Sequence, residues 1–205
     1  MVRYTSEHKA QTRERILGAA ARQFREKGFS EASLASIMKE ANLTHGGFYA
    51  HFESKDHLVA EVIRSGFDHV GEKFDRAFGE LEGDDWLRAW ATAYMSPGHL
   101  HEVRRACPLP LLTPEIARSG PEARTGFTDL SYERMATVMS HIDAPEAEAR
   151  RRAMAGVSLM VGGMMMARAL DEPLSSELLD VTREAAIDAL TGSDRDTEDR
   201  TERDG

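Results

Sequence analysis

Apolar residues recur every three or four positions along most of the chain, which is the spacing of helices that bury one face. The longest such stripe runs through residues 55–78, and at 1.5 Å per residue it predicts a helix about 36 Å long. We therefore expect an all-α protein of about nine helices, with a small N-terminal domain and a larger helical C-terminal domain. The other long helices are predicted at residues 11–27, 83–95, 122–141, 147–170 and 175–190.

Two short helical patterns separated by a tight break follow the first predicted helix. Ser33 is the predicted N-cap of the first pattern, because its side-chain oxygen can accept a hydrogen bond from a main-chain N–H. Asn42 stands where a left-handed residue would end that helix, since asparagine tolerates positive φ. Thr44 is the predicted cap of the second pattern, in which Phe48 and Phe52 point inward. Together with the first helix, these elements predict a three-helix unit.

The opposite side of the second pattern presents small or polar groups that can reach a partner. The major groove of DNA is about 12 Å wide and admits one helix, whose first side chains meet base edges. Gly46 and Gly47 each cost such a helix roughly 1 kcal/mol in propensity, so we infer that a partner approaches the backbone closely. The alternative is an ordinary helical hairpin whose polar residues face water. The outward side is formed by Thr44, His45, Gly46, Tyr49 and His51.

A turn, an aromatic pair and a lysine fall here at offsets that resemble the DNA-binding signature of the TetR/AcrR family of bacterial transcription regulators. The resemblance covers residues 10–60 in detail. Asn42 departs from the family pattern, where glycine is commoner, and so does Phe48, where leucine is commoner. Both departures leave the DNA-facing positions intact. The matching run is Thr-His-Gly-Gly-Phe-Tyr-Ala-His-Phe at residues 44–52, followed by Ser54, Lys55 and Leu58.

The resemblance implies a transcription regulator that binds double-stranded DNA and is not an enzyme. On this hypothesis the start of the second short helix faces bases, while neighbouring groups hold phosphates and set the register. Lys55 is expected to attract a phosphate through its charge and through the N–H groups of the first helical turn. The residues expected to face bases are Thr44, His45 and Gly46, and those expected to hold phosphates are Ser33, Ser36, Tyr49, His51 and Lys55.

The net charge of −9 argues against nucleic-acid binding only until it is divided along the chain. Residues 1–55 contain nine Lys/Arg and six Asp/Glu, a net charge of +3, so the remainder carries −12. The basic excess therefore coincides with the predicted DNA-binding region. Residues 1–9 are predicted to be a loose arm, in which Arg3 and Lys9 either reach phosphates or have no role.

We predict three regions: a DNA-binding helix-turn-helix domain at residues 1–55, an effector-binding and dimerisation domain at 56–192, and a disordered acidic tail at 193–205. The tail after Gly192 contains no apolar residue, so it contributes nothing to a core. The longest apolar run is too short to span a membrane, and no apolar signal stretch is present. Together with a single cysteine, Cys107, these features predict a cytoplasmic protein.

The predicted helix at residues 147–170 is apolar nearly all round its middle, which indicates burial on more than one side. Gly156, Gly162 and Gly163 permit another helix to approach it. In the family that the chain resembles, the last two helices pair with their copies in a second subunit as a four-helix bundle. We therefore expect a homodimer that binds a roughly palindromic operator, the alternative being a monomer with a buried core helix.

The resemblance also implies a cavity for a small apolar, aromatic or electrophilic effector in the second domain. Effector binding would favour a dimer whose recognition helices no longer match successive major grooves, so we expect a repressor that its effector releases from DNA. Because Arg104 and Arg105 lie close before Cys107, this thiol is either a reactive sensor or a small buried hydrophobe. The residues assigned to the cavity, each of which is otherwise plain core, are Trp90, Tyr94, Cys107, Leu111, Phe127, Met135 and Met139.

Catalytic and metal-binding patterns are poorly represented, and no cofactor is predicted. Residues 96–121 hold five of the seven prolines and are predicted to be irregular, apart from short helical turns at 100–105 and 114–119. His99 and His101 would lend metal ligands only from an extended segment, and a solvated loop is the favoured interpretation. The alternative to a regulator is a helical small-molecule-binding or catalytic protein without a DNA role.

Overall fold

The computed structural model describes residues 6–101 and 109–193. Within these residues the chain folds into nine α-helices and one 3₁₀ helix and forms no strand, which confirms the predicted all-α class. The 3₁₀ helix, His45–Ala50, lies between α2 and α3. The α-helices are α1 Ser6–Glu31, α2 Leu34–Glu40, α3 Lys55–Phe78, α4 Gly83–Tyr94, α5 Pro97–His101, α6 Leu109–Ile116, α7 Pro121–Met139, α8 Glu146–Ala167 and α9 Leu174–Thr191.

The described residues form two compact units. The first lies within Met1–His69 and Cys107–Leu130, and the second within Val70–Ala106 and Ser131–Gly205. The division falls inside α3 and inside α7, so α6 and the first half of α7 belong with the N-terminal helices. The predicted assignment of DNA binding and effector binding to either side of residue 55 stays a prediction.

Apolar side chains from α1, α2, the 3₁₀ helix, α3, α6 and α7 form one continuous core in the first unit. Burying such a side chain fully contributes about 1.5–3 kcal/mol relative to leaving it exposed. α6 joins the core through Leu112 and Ile116. Phe48 and Phe52, which were predicted to point inward, are both buried, as are Phe24 and Phe29 of α1.

α1 begins at Ser6, so the prediction of a loose arm is wrong for residues 6–9. Glu7 lies in the first turn, where its negative charge complements the helix dipole and favours this earlier start. Residues 1–5, which include Arg3, lie outside the described residues.

Part of the segment that was predicted to be irregular is helical. Pro97 is the first residue of α5, a position that suits proline because its missing N–H has no intrahelical role there. Ser96 caps this helix, its Oγ accepting from the N–H of His99 at 3.2 Å. Pro110 likewise stands in the first turn of α6. Proline content therefore misled the prediction, because Pro97, Pro110 and also Pro121, the first residue of α7, stand in the first turns of helices.

The second unit is built around α8 and α9, which pack along each other, and α4 packs against α9. A Cβ added to Gly156 would lie 2.4 Å from Leu190 Cγ, and one added to Gly163 would lie 2.4 Å from Thr182 Oγ1. These two glycines therefore permit the close approach of α9, as predicted for a partner helix. Gly162 differs, because a Cβ there would meet nothing within 4 Å.

α9 ends where Gly192 adopts the left-handed conformation, with φ 75° and ψ 15°. Its N–H donates to the carbonyl of Asp188 at 2.8 Å, as is usual for a glycine-terminated helix. Of the acidic tail predicted at 193–205, residues 194–205 lie outside the described residues.

Across the described ranges, no helix is long and apolar enough to cross a membrane. In the same ranges, no group of three or more His, Cys, Asp or Glu side chains is placed to hold a metal ion. The prediction of a loop for His99 and His101 was wrong, because both lie on α5. Side chains two positions apart on a helix point in different directions.

Candidate DNA interface

α2 begins at the predicted cap, since the N–H of Ser36 donates to Ser33 Oγ at 3.1 Å. Its inward side is formed by Ile37 and Met38, which are fully buried. A helix of seven residues is not stable alone in water, so packing against α1 maintains it. Ser33 remains exposed at the outer end of the helix.

The turn after α2 follows the predicted left-handed path. Asn42 has φ 54°, and the N–H of Leu43 donates to the carbonyl of Met38 at 2.9 Å. The guanidinium of Arg15 on α1 donates to the carbonyl of Ala41 and, at 3.4 Å, to that of Asn42. Carbonyls at a helix end lack intrahelical partners, so Arg15 stabilises this turn from outside. Sequence reasoning missed Arg15, which the helical pattern alone does not distinguish from a solvated residue.

The second element of the motif is a 3₁₀ helix of six residues. Thr44 occupies its N-cap position as predicted, but the prediction of a side-chain capping bond was wrong. Phe48 is fully buried and stacks on Phe52 with ring centroids 5.7 Å apart, which anchors the inner side. Since a 3₁₀ helix has three residues per turn, residues 46 and 49 share the outer side. The exposed residues of this helix and its cap are Thr44, His45, Gly46, Tyr49 and Ala50.

The protein itself imposes no requirement for glycine at position 46. Gly46 does not have a positive φ, and a Cβ there would meet no atom within 4 Å. At Gly47 a Cβ would make an ordinary contact, 3.8 Å from Met38 Cε. Glycine at position 46 therefore has no internal compensation for its low helix propensity. An external partner close to the backbone supplies a reason for it.

Tyr49 and His51, both predicted phosphate contacts, have different surroundings. Tyr49 is 64% exposed, whereas His51 is half-buried and its Nδ1 has no hydrogen-bond partner among the described residues. Burial lowers the pKa of His51, and the positive groups Lys9, Arg13 and His8 on α1 lower it further. The start of α1 thus adds positive charge beside the end of the 3₁₀ helix.

Lys55 is the first residue of α3, and its Nζ donates to the carbonyl of Phe29 near the end of α1. The ammonium group carries three hydrogens, so this bond is compatible with the predicted phosphate contact.

The N–H of Phe29 donates to Glu115 Oε2 on α6. The preceding residue, Gly28, has φ 79° and ψ 172°, which confirms the predicted break in α1. Glu115 was missed because sequence reasoning placed its segment with the effector domain.

A polar network joins α1 to α2. Gln23 is only 5% exposed; its Oε1 accepts from Ser36 Oγ at 2.6 Å, and its Nε2 donates to Glu40 Oε2 at 2.8 Å. Glu40 also accepts from Arg22 Nε at 2.6 Å. Gln23 was missed as well, although the sequence held a signal: it is a polar residue on the apolar side of α1, one turn after Ala19.

The residues predicted to line an effector cavity fall in both units, so their grouping in one cavity stays a prediction. Tyr94 is buried, while the others that can be described are half-buried. Trp90, Tyr94, Met135 and Met139 belong to the second unit and Phe127 to the first; Cys107 and the side chain of Leu111 lie outside what the structure describes.

Trp90 and Tyr94 belong to a row of rings in the second unit. Their ring centroids are 6.3 Å apart, and the Tyr94 ring lies 4.8 Å from that of His99. Burial, followed by the charges of Arg168 and Lys73, lowers the pKa of His99 to about 4. The imidazole is therefore neutral at physiological pH.

Known proteins with similar sequences match mainly the N-terminal region that contains the candidate DNA interface. Residues 16–62 match the model of bacterial regulatory proteins of the tetR family. The HTH-type transcriptional regulator AcrR of Shigella flexneri is 38% identical over 72 residues, which cover 35% of this chain and 34% of that protein. The HTH-type transcriptional regulator UidR of Escherichia coli strain K12 is 44% identical over 129 residues, which cover 60% of this chain and 64% of that protein. The chain thus spans between about a third and somewhat under two thirds of these relatives.

The likeness of fold extends further along the chain. The crystal structure of a TetR transcriptional regulator from Chloroflexus aurantiacus has a TM-score of 0.73 at 23% identity, covering 88% of this chain and 94% of that one. At this identity the likeness shows the fold alone. Fold and candidate interface define a helix-turn-helix protein with a helical C-terminal part.

Together these comparisons support the TetR/AcrR family of bacterial transcription regulators, to which the matched residues 16–62 are assigned by the family model. The names of its relatives are those of transcription regulators.

Proposed function

We propose that this protein is a transcription regulator that binds double-stranded DNA through the 3₁₀ helix and the groups around it. The observation that carries the proposal is the contrast between the two sides of that helix. Phe48 is fully buried, and the outer side is small and polar, which suits entry into the major groove. The outer side consists of Thr44, His45, Gly46 and Tyr49, all within the region that matches the family model.

Each group has a role that follows from its chemistry. The hydroxyl of Thr44 and the ring of His45 meet base edges, while Gly46 lets the backbone come close to the DNA. Phosphates are held by groups that donate hydrogen bonds or carry positive charge. These groups are Ser33, Tyr49, His51 and Lys55.

The protein acts as a homodimer in this proposal, and exposed apolar side chains on α8 and α9 support it. Large apolar side chains left exposed on a helix face are available to an interaction partner. Gly162 lies on the same side of α8 with open space around it, so the backbone of a second helix can approach there. The alternative, a monomer with α8 as a core helix, leaves these side chains in water. They are Met154, Met166, Leu174 and Val181, which are 50%, 58%, 53% and 64% exposed.

Effector-controlled repression completes the proposal. The half-buried Trp90, Met135 and Met139 offer apolar and adaptable surface to a small apolar or aromatic molecule. An electrophile would instead act on Cys107. In either case the effector shifts the population towards a dimer that no longer matches two major grooves of a palindromic operator.

Selection of random duplex DNA by the purified protein tests DNA binding. The wild type is compared with Tyr49→Ala, and Tyr132→Ala is the matched control, because Tyr132 is 58% exposed on α7. The wild type and the control should enrich one near-palindromic sequence, and Tyr49→Ala should lose it. A folded, dimeric wild type that enriches nothing at low salt would contradict the proposal and favour a helical small-molecule-binding or catalytic protein without a DNA role.

The enriched sequence then becomes the probe for effectors. Compounds that release this DNA sequence should also change the tryptophan fluorescence of the protein, because its two tryptophans, Trp86 and Trp90, both belong to the second unit. Alkylation by N-ethylmaleimide of the wild type, but not of Cys107→Ser, should release DNA if the effector is electrophilic. Release of DNA from both proteins would assign the sensing to groups other than this thiol.

A further inference from the structure

Gln23 is one of the few polar side chains that the described residues bury in the core of the first unit. Burying an amide is unfavourable unless its hydrogen bonds are made. Here both ends of the amide are used, since Oε1 accepts from Ser36 Oγ at 2.6 Å and Nε2 donates to Glu40 Oε2 at 2.8 Å. The side chain is therefore oriented by two hydrogen bonds, both of them to α2.

These two bonds reach opposite ends of α2. Ser36 lies in the first turn of this helix and Glu40 is its last residue. The hydrogen bond from Gln23 lowers the pKa of Glu40, and the hydrogen bond and charge of Arg22 lower it further against the opposing effect of burial. A partly buried network whose polar groups are paired in this way sets position more strictly than apolar contacts do, because hydrogen bonds are directional. Gln23 therefore sets how far α2 is shifted and rotated along α1.

The network also separates the roles of the two serines at the start of α2. The single hydroxyl hydrogen of Ser36 points to acceptors of the protein itself, either Gln23 Oε1 at 2.6 Å or the Ser33 carbonyl at 2.8 Å. Ser33 Oγ acts as an acceptor in the described part of the chain, taking the N–H of Ser36. Its hydroxyl hydrogen is thus left for a phosphate oxygen, which only accepts.

We propose that Gln23 is a positioning residue for DNA binding: it engages Ser36 and Glu40 so that α2 presents the hydroxyl of Ser33, and not that of Ser36, to a phosphate. This inference rests on the proposed DNA-binding function. It departs from the sequence-based prediction that Ser36 itself holds a phosphate, because in this structure the hydroxyl of Ser36 donates within the protein, to Gln23 Oε1 or to the carbonyl of Ser33.

A double-mutant cycle on operator binding tests this role. Gln23→Met keeps the length of the side chain and removes both hydrogen bonds, and Ser36→Ala removes the hydroxyl. Dissociation constants for the selected operator are measured at a temperature where circular dichroism shows every variant to be folded. We expect Gln23→Met to weaken operator binding by about tenfold and the double variant to be within about twofold of it, because the two residues act as one unit. If Ser36 contacts a phosphate directly, Ser36→Ala lowers affinity by the same factor in both backgrounds, and the proposal is overturned.

Binding to unrelated DNA separates positioning from stability. Gln23→Met should weaken operator binding much more than binding to a random duplex, since non-specific binding depends mainly on charge. Ile16→Val is the control, a buried position on the same helix that makes no hydrogen bond to α2. It should lower stability and leave operator affinity unchanged. If Gln23→Met behaves like Ile16→Val, Gln23 is only structural and the inference is wrong.

The role of Ser33 is tested with two substitutions that cap helices equally well. Ser33→Asn keeps a neutral donor and should bind the operator within a few-fold of the wild type. Ser33→Asp adds a negative charge next to the phosphate and should abolish operator binding while the unfolding midpoint stays close to that of Ser33→Asn. Equal affinities of the two variants would show that no phosphate lies at Ser33. A wild type that binds no duplex at all would refute the proposed DNA-binding function itself, an outcome distinct from both of these.

Discussion

Glu115 on α6 accepts a hydrogen bond from the main-chain N–H of Phe29, the residue that follows the break in α1. The carbonyl of the same residue accepts from Lys55 at the start of α3. One residue of the α1–α2 corner is therefore held from two sides by groups of opposite charge. The corner precedes Ser33, so these contacts define where the proposed DNA-binding face begins.

Gly28→Ala should destabilise the protein strongly. Gly28 has φ 79° and ψ 172°, a conformation that costs a residue with a side chain about 1–3 kcal/mol. An added Cβ would also lie 2.1 Å from Glu115 Oε1, so the carboxylate must move. The free energy of unfolding from urea titration measures the loss. The control is Gly18→Ala inside α1, where the nearest atom, Arg22 Nη1, would be 3.6 Å away; it should be neutral or stabilising. Equal effects of the two substitutions would contradict this account.

Gly46→Ala should leave stability unchanged or slightly higher and weaken operator binding by at least about tenfold. The fold has room for the methyl group and alanine has the higher helix propensity, whereas a groove in contact with the backbone has no room for it. Urea titration and fluorescence anisotropy with labelled operator measure the two quantities. Gly47→Ala is the control, because its Cβ would point towards Met38 and should affect affinity less. Unchanged affinity of Gly46→Ala would place the DNA elsewhere.

Lys55→Gln should reduce the salt dependence of operator binding. A lysine that neutralises one phosphate contributes about 0.9 to the slope of log K against log salt concentration. Because Lys55 also holds Phe29, a loss of affinity alone does not identify a phosphate contact. Glu115→Ala disturbs the same corner without removing a cation, so it should keep the slope of the wild type. An unchanged slope in Lys55→Gln would assign Lys55 to the corner only.

Val181→Glu should convert the proposed dimer into a monomer. Val181 is 64% exposed in the single chain, so the charge costs the folded monomer little, whereas burial of an unpaired carboxylate in a two-fold interface is unfavourable. Sedimentation equilibrium measures the mass, and operator binding should weaken with it. Tyr132→Glu alters a residue on α7 of similar exposure, 58%, and should remain dimeric. A dimeric Val181→Glu would exclude this part of α9 from the interface.

Stability should fall as the pH is lowered from about 6.5 to about 4. His99 has a pKa of about 4 in the folded protein and about 6.5 when unfolded, so in this range the unfolded chain binds more protons. Its contribution is complete above the unfolded pKa and disappears as the pH approaches the folded one. His51, whose pKa is also lowered, acts in the same direction. Thermal unfolding of the wild type and His99→Asn across this range measures the effect. Parallel pH profiles of the two proteins would contradict it.

The helical class and the order of the helices were predictable from sequence because they depend on local regularities. The stripe of α3, the break at Gly28 and the left-handed Asn42 each follow from spacing or from the conformational range of one residue type. The outward side of the 3₁₀ helix was predictable too, since Phe48 and Phe52 define its inner side. The helices α5 and α6 were predicted only as short turns that begin too late, because the prolines in their first turns are also typical of loops.

The sequence by itself therefore determined the order of the helices, the helix-turn-helix and the exposed side chains around the 3₁₀ helix, namely Thr44, His45, Gly46 and Tyr49. Only the tertiary structure decided which distant groups meet. Gln23 hydrogen-bonds to both ends of α2, and Glu115 accepts from the peptide N–H of Phe29. The space beside Gly162 is empty, whereas the space beside Gly163 is occupied by a side chain of α9. The physical reason is range. Helix propensity and amphipathic spacing act over a few residues, whereas these hydrogen bonds and close contacts join residues far apart in the chain and depend on how whole helices pack.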